Sequence, residues 1–148
     1  MKLLPLLVLA SSAAFAQSAE ETAVRATIDR MFDGMRKADT VLFKSVFAPG
    51  VTLQSVARNK EGAVAVQSSS IPGFVAAVGK QKAGALDERL AGYDIKVDGE
   101  MAVAWTPYTF YYNGQKSHCG VNAFTLVKLA GEWKIQAIID TRRRENCP

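Results

Sequence analysis

The chain carries a single imidazole, His118, so any histidine-based proton transfer must run through it. An imidazole pKa near 6.5 suits acid–base work at neutrality. His118 also sits beside the Asn113-Gly114 turn, between Ser117 and Cys119, where a plain surface role fits equally well. Two carboxyls join it as catalytic candidates, Asp94 and Asp140, both in strand-like segments. A carboxyl set in an apolar wall loses hydration, keeps its proton to higher pH, and can then donate or accept one. At a solvated strand edge the same group would do none of this. Trp105 and Tyr108, with Tyr111 and Tyr112, offer flat faces for an aromatic ligand, or else simply fill a core. The chain has no Gly-rich phosphate loop, no Gly-x-Ser-x-Gly elbow and no His-Glu-x-x-His pair. One His and two Cys leave a zinc site short of ligands, and no cofactor is called for.

Cys119 and Cys147 are the only cysteines. In an oxidising compartment such a pair reads as a disulfide, while a reactive thiol is the other reading. A bond between them would tie the C-terminal tail to the body, and closing a loop of this size stabilises by about 3 kcal/mol in the chain-entropy model. The N-terminus points to that compartment. Lys2 is a short basic region, Leu3 to Ala10 is apolar, and Ala14-Phe15-Ala16 ends in the small-x-small pattern of a signal peptidase site. Residues 1–16 are therefore expected to be a signal peptide and residues 17–148 one exported domain, periplasmic or secreted. The apolar run is far shorter than the roughly 20 residues that span a bilayer, so no membrane span is expected after cleavage. Without Lys2 the formal charge falls from +4 to +3, and much of the excess is the Arg142-Arg143-Arg144 run. That is a solvated strand end rather than the basic, aromatic-interleaved stripe of a nucleic-acid protein.

The elements that must position these residues follow from periodicity. Val24, Ile28, Met31, Phe32 and Met35 repeat at the helical period within a helix from about Ala19 to Ala38, with Ser18 and Glu21 fitting a capping box. A second helix begins at Asp39 or Thr40 and is expected to stop at Pro49-Gly50. Strands follow at 51–57 and 63–68, then a short helix capped by Ser69 or Ser70 with Pro72 in its first turn. Four long strands close the chain, at about 86–97, 100–112, 115–129 and 132–143, joined at Asp98-Gly99, Asn113-Gly114 and Ala130-Gly131. If each of those dipeptides is a two-residue loop, Asp94 faces Val103, His118 faces Thr109, Asn122 faces Trp105, Phe124 faces Ala137 and Leu126 faces Ile135. One sheet face then carries these residues with Ile139, an apolar wall with a few polar groups of the kind that lines a small-molecule cavity. Trp105, Asn122, Phe124 and Ile139 are its ligand-binding candidates, with Tyr108 as a stacking candidate. The other face, with Tyr93, Tyr108, Phe110, Cys119, Asp140 and Arg142, would suit a dimer contact. A single bulge exchanges the faces and brings Asp140 and Arg142 into the pocket instead.

Local sequence adds a resemblance. Met31-Phe32-Asp33-Gly34-Met35, then Ala38-Asp39 and Phe47-Ala48-Pro49, resembles the opening pattern of the nuclear transport factor 2-like superfamily. Leu129-Ala130-Gly131-Glu132-Trp133-Lys134-Ile135 resembles its closing hairpin, and Asp98-Gly99-Glu100-Met101-Ala102-Val103 the hairpin before it. The chain is most similar to the bacterial SnoaL-like and lumazine-binding-like branches. The resemblance implies a cone-shaped α+β fold with helices on a curved, mainly antiparallel sheet, a mostly apolar cavity, and frequent homodimers built on the open sheet. Asp94 resembles in position the carboxyls that related isomerases place on a cavity strand. The dehydratase arrangement needs two His with an Asp, and the paired acids of the isomerase branch do not match residue by residue.

Since such a fold hosts isomerases, dehydratases, cyclases, transport factors and binding modules, it does not assign a function alone. Three readings follow. The first is an exported domain that binds a small apolar or aromatic molecule. The second is a cofactor-free enzyme of the SnoaL or ketosteroid-isomerase kind. The third is an envelope protein-interaction module, whose cavity would be filled by its own side chains.

Overall fold

Apolar residues at the helical period build the first helix and decide which side of it faces inward. A computed structural model describes residues 9–147, with side chains from residue 19 onward. Helix α1 spans Leu9–Lys37, and Val24, Ile28, Met31, Phe32 and Met35 form its buried stripe. Burial of side chains this large stabilises by roughly 1.5–3 kcal/mol each. Of the signal peptide expected at 1–16, residues 1–8 lie outside the described residues. The helix starts earlier than expected, so Ser18 falls within it rather than at its cap, and the side chain of Ser18 lies outside what is described.

Helix α2 (Thr40–Ser45) begins where Asp39 caps it, accepting from the N–H groups of Val41 and Leu42. Gly34 lets α1 and α2 touch: a Cβ there would lie 2.6 Å from the Phe43 backbone nitrogen. Helix α3 (Ile71–Gly79) is capped by Ser70, whose Oγ accepts from Gly73 N–H, and Val78 is its buried anchor.

Seven strands make one sheet: β1 (Phe47–Arg58), β2 (Val64–Ser69), β3 (Leu86–Leu90), β4 (Asp94–Asp98), β5 (Met101–Tyr112), β6 (Gln115–Leu129) and β7 (Glu132–Thr141). Their order is β2-β1-β7-β6-β5-β3, with β4 also on β5; β1 runs parallel to β7 and the other pairings are antiparallel. The helices cover one face, and the architecture is α+β as expected.

Several details correct the sequence reading. Pro49-Gly50 does not stop a helix. It lies inside β1, where the pairing with β7 jumps from Phe47↔Ile135 to Thr52↔Ala137 and Gly50 takes a φ of +73°. The strand expected over 86–97 is two strands, because residues 91–93 pass opposite only Thr106 and Pro107 between the pairs Leu90↔Tyr108 and Asp94↔Trp105. The first turn centres on Gly99-Glu100, since Asp98 pairs with Met101, and so Asp94 stands opposite Trp105 rather than Val103. Most consequential are two bulges. Ser117 is the extra residue between Tyr111↔Lys116 and Phe110↔His118, and Gln136 between Leu126↔Ile135 and Thr125↔Ala137. His118 therefore faces Phe110, Asn122 faces Thr106, and Phe124 faces Ile138.

The helix-covered face consequently carries Tyr108, Asn122, Phe124, Leu126, Ile135, Ile138 and Asp140, all buried. Asp94, Val103, Trp105 and Ile139 stand on the opposite, open face, and Trp105 is 55% exposed. The disulfide joins Cys119 to Cys147 within one chain, and the backbones of Cys119 and Arg143 exchange two 2.9 Å hydrogen bonds beside it. Among the described residues, no helix is long and apolar enough to cross a membrane.

Gly34→Ala tests the helix contact. Ala favours an isolated helix by about 1 kcal/mol, but a methyl pressed on the Phe43 backbone forces α2 outward, and overpacking of this kind costs roughly 1–3 kcal/mol. Net destabilisation in urea unfolding is expected; a neutral or stabilised variant would contradict the contact.

Candidate functional site

A cavity of about 450 Å³ opens between the helices and the covered face of the sheet. Met31, Phe32 and Met35 of α1, Leu53 of β1, Phe74 of α3 and Ile138 of β7 supply its apolar wall. Phe124 lies behind this wall, in edge contact with Phe32 at 6.2 Å between ring centres. Ser55, Glu88, Asn122, Asp140 and Arg142 form a polar pole.

Asp140 is the hub of that pole and is almost fully buried. Its Oδ1 accepts from the Ser55 hydroxyl, and its Oδ2 accepts from Tyr108 Oη at 3.1 Å and Arg142 Nε at 2.8 Å. Three strands, β1, β5 and β7, thus converge on one carboxylate. The single Tyr108 hydroxyl proton is shared with the Thr141 carbonyl at 2.9 Å, across a gap that only glycine permits: a Cβ at Gly120 would lie 1.8 Å from that oxygen. Burial, then the negative charges of Asp140 and Glu88, push the Tyr108 phenol well above its usual pKa, so it stays a donor. Burial works against the charge of Arg142, yet Asp140 holds its pKa above the ordinary value. Ser55, Tyr108 and Arg142 leave Asp140 fully supplied with donors and paired in charge.

Glu88 differs. Its Oε1 accepts from Asn122 Nδ2 at 2.8 Å, while its Oε2 has no hydrogen-bond partner among the described residues. Its side chain borders the cavity, so part of it is accessible from there, but the protein packed around the rest of it strips much of the carboxylate's hydration. Desolvation is the main cause that lifts its pKa from 4.5 to about 7; Asp140 adds to the lift, and the Asn122 hydrogen bond and Arg142 oppose it. The next residue shows the contrast. Asp87 points to the other side of β3, where Arg36 and Arg89 pair with it at 3.0 and 2.8 Å. Against the penalty of burial, those two cations hold Asp87 below the ordinary carboxylate range.

Among the sequence candidates, Asp140 and Asn122 come together at this pole, with Tyr108 behind Asp140. His118 packs against Phe110 at 5.0 Å and Tyr108 at 5.8 Å, and its Nδ1 lies 3.1 Å from Ser117 Oγ. Burial, then Arg142, lowers its pKa, so the ring is neutral at pH 7, and it does not border the cavity. Asp94 pairs with Lys96 at 2.7 Å on the open face. Trp105 and Ile139 are on that face too, away from the cavity, because of the Ser117 and Gln136 bulges. Glu88 and Ser55 were missed. For Glu88 a signal existed: Leu86-x-Glu88-x-Leu90 places a glutamate on the face of two leucines. Among the described residues, no group of three or more His, Cys, Asp or Glu could hold a metal ion.

Glu88 makes a pH signature. Folded, it keeps its proton to about pH 7; unfolded, it ionises near 4.5. Its contribution to stability is therefore full below pH 4.5 and is lost as pH rises to about 7, a fall of roughly 2–4 kcal/mol. Glu88→Gln should flatten that decline in urea unfolding between pH 4.5 and 7.5; an unchanged slope would show that Glu88 titrates as a solvated acid.

Residues 19–138 match the family described as "Putative lumazine-binding". No protein with a curated description matches the chain. Among solved structures, a nuclear transport factor 2-like protein with a cystatin-like fold from Novosphingobium aromaticivorans aligns with TM-score 0.72 at 14% identity, over 96% of this chain and 94% of that one. The association domain of the Caenorhabditis elegans kinase CaMKII aligns with TM-score 0.65 at 10% identity, over 84% and 97%. A protein from Shewanella frigidimarina described as a "putative ketosteroid isomerase" aligns with TM-score 0.59 at 16% identity, over 80% and 94%. Likeness at these identities carries the fold alone.

Proposed function

The chain belongs to the "Putative lumazine-binding" family of the nuclear transport factor 2-like superfamily, and from that premise we propose that it binds a small molecule in the 450 Å³ cavity. The division of that cavity carries the reading: an apolar body of Met31, Phe32, Met35, Leu53, Phe74 and Ile138 ends in the polar pole around Glu88 and Asp140. Binding sites join apolar walls to a few convergent polar groups in this way. An open cavity also favours ligand binding over an interaction module, which calls for a space filled by its own side chains.

The protein acts in an oxidising compartment outside the cytoplasm, delivered there by a leader at residues 1–16. The Cys119–Cys147 disulfide supports this location. It works as a homodimer through the open sheet face. Val103, Trp105 and Ile139 are 43%, 55% and 38% exposed there, an apolar surface of the kind that partners cover.

One observation favours an enzymatic second reading. Glu88, whose pKa is lifted to about 7, stands on the same pole as the Asp140–Arg142 salt bridge, which suits moving a proton on a bound carbonyl compound.

Native mass spectrometry of the protein purified from its exported compartment tests the main reading. One small molecule per chain is expected, in a dimer. Ala77→Trp, at an exposed lining position of α3, should plug the cavity and empty it. Trp105→Glu should release monomers that keep the ligand. An empty wild-type cavity under gentle conditions, or equal retention in Ala77→Trp, would contradict ligand binding there.

A further inference from the structure

The polar pole is unevenly satisfied. Asp140 has three donors, one of them the Arg142 guanidinium, whereas Glu88 has one amide donor and no cation within ion-pair distance among the described residues. Among the described residues, none of the charged groups around Glu88 is bonded to its free oxygen. From β7 and the residue that follows it, Asp140 and Arg142 pair with each other; from β5, the Tyr108 hydroxyl is shared between Asp140 and Thr141. From α1, Arg36 pairs with Asp33 and Asp87 and reaches only the Glu88 backbone carbonyl, at 3.5 Å. Asn122 Nδ2 is shared between Glu88 and Thr106. The free oxygen of Glu88 therefore borders the cavity with no protein donor assigned to it.

A carboxyl in that position is stabilised most by a charged donor brought in from outside, because charge-assisted hydrogen bonds are the strong ones and low polarity strengthens them further. The apolar wall beside it asks for a hydrophobic body. We propose that the ligand of this cavity carries a cationic nitrogen, a protonated amine or amidine on an apolar or aromatic body, and that this group docks on the free oxygen of Glu88. The inference rests on the ligand-binding reading above and narrows it to a chemical class. Arg142, half exposed at the rim, gives Asp140 its Nε–H, and the carboxylate probe below tests whether its terminal N–H groups take an anionic end of the ligand instead.

The test uses three probes with one shared body: 2-(1-naphthyl)ethylamine, 2-(1-naphthyl)ethanol and 1-naphthaleneacetate. Isothermal titration of the full exported chain should find the amine bound at least about tenfold tighter than the alcohol, with the carboxylate weakest. In Glu88→Gln, which keeps an acceptor for Asn122, the amine-to-alcohol ratio should fall to about one. Titration of the wild type in buffers of different ionisation enthalpy gives an independent readout. Nearly one proton should be released per amine bound at pH 6 and almost none at pH 8, because the ammonium pins Glu88 as a carboxylate. Equal binding of amine and alcohol, tightest binding of the carboxylate, or no proton release would overturn the cationic assignment and leave the cavity reading standing. Failure of all three probes to bind would overturn both.

Discussion

One extra residue in β7 decides what kind of space this protein encloses. Without the Gln136 bulge, the strand would turn Ala137, Ile139 and Thr141 toward the helices and leave Asp140 and Arg142 on the open face. With it, Ile138 closes the apolar wall and Asp140 is buried against Ser55, Tyr108 and Arg142. A carboxylate this deep persists only when donors and a cation accompany it, since an isolated buried charge is very costly. The rest of the pole is built to meet that demand. Parallel pairing of β1 with β7 sets Ser55 beside Asp140, and Gly120 admits the Tyr108 hydroxyl to the Thr141 carbonyl. The disulfide at Cys119 fastens the chain beyond Arg142 to the neighbouring strand.

Against that saturated acid, Glu88 stands out as the group whose environment is incomplete. Both carboxyls sit on one sheet face, and the Asp140 charge adds to the desolvation that raises the Glu88 pKa. Arg142 pairs with Asp140, while Glu88, with no cation at ion-pair distance among the described residues, is driven toward its neutral form mainly by burial. Fold and chemistry are linked at this point: the elements that wall the cavity also bury Glu88, which raises its pKa and leaves one of its oxygens open to a donor. Stability, protonation and ligand binding then become one coupled equilibrium.

Much of the fold was legible because strong local signals agreed. The Val24 to Met35 stripe, the Asp39 and Ser70 caps, and the Asn113-Gly114 and Ala130-Gly131 turns each have a mechanism that acts within a few residues. The site was less legible because its register depends on Ser117 and Gln136, two ordinary polar residues with no glycine or proline to mark them. Counting by twos across an unmarked bulge sent Trp105, Ile139 and Asp94 to the cavity and Asp140 away from it, with Asn122 and Phe124 unaffected. Glu88 needed no register at all. Its place between Leu86 and Leu90 was readable from alternation, but it drew no notice inside a strand assumed to run unbroken to Val97.

The most direct measurement is a carbon-detected NMR titration of the Glu88 side-chain carboxyl, assigned by its absence in Glu88→Gln. The account predicts a midpoint near pH 7, the behaviour of a desolvated acid at the wall of the cavity beside the Asp140–Arg142 ion pair. A midpoint near 4.5 would mean that water and counter-charge reach Glu88 freely, and Glu88 would not be the desolvated acid described.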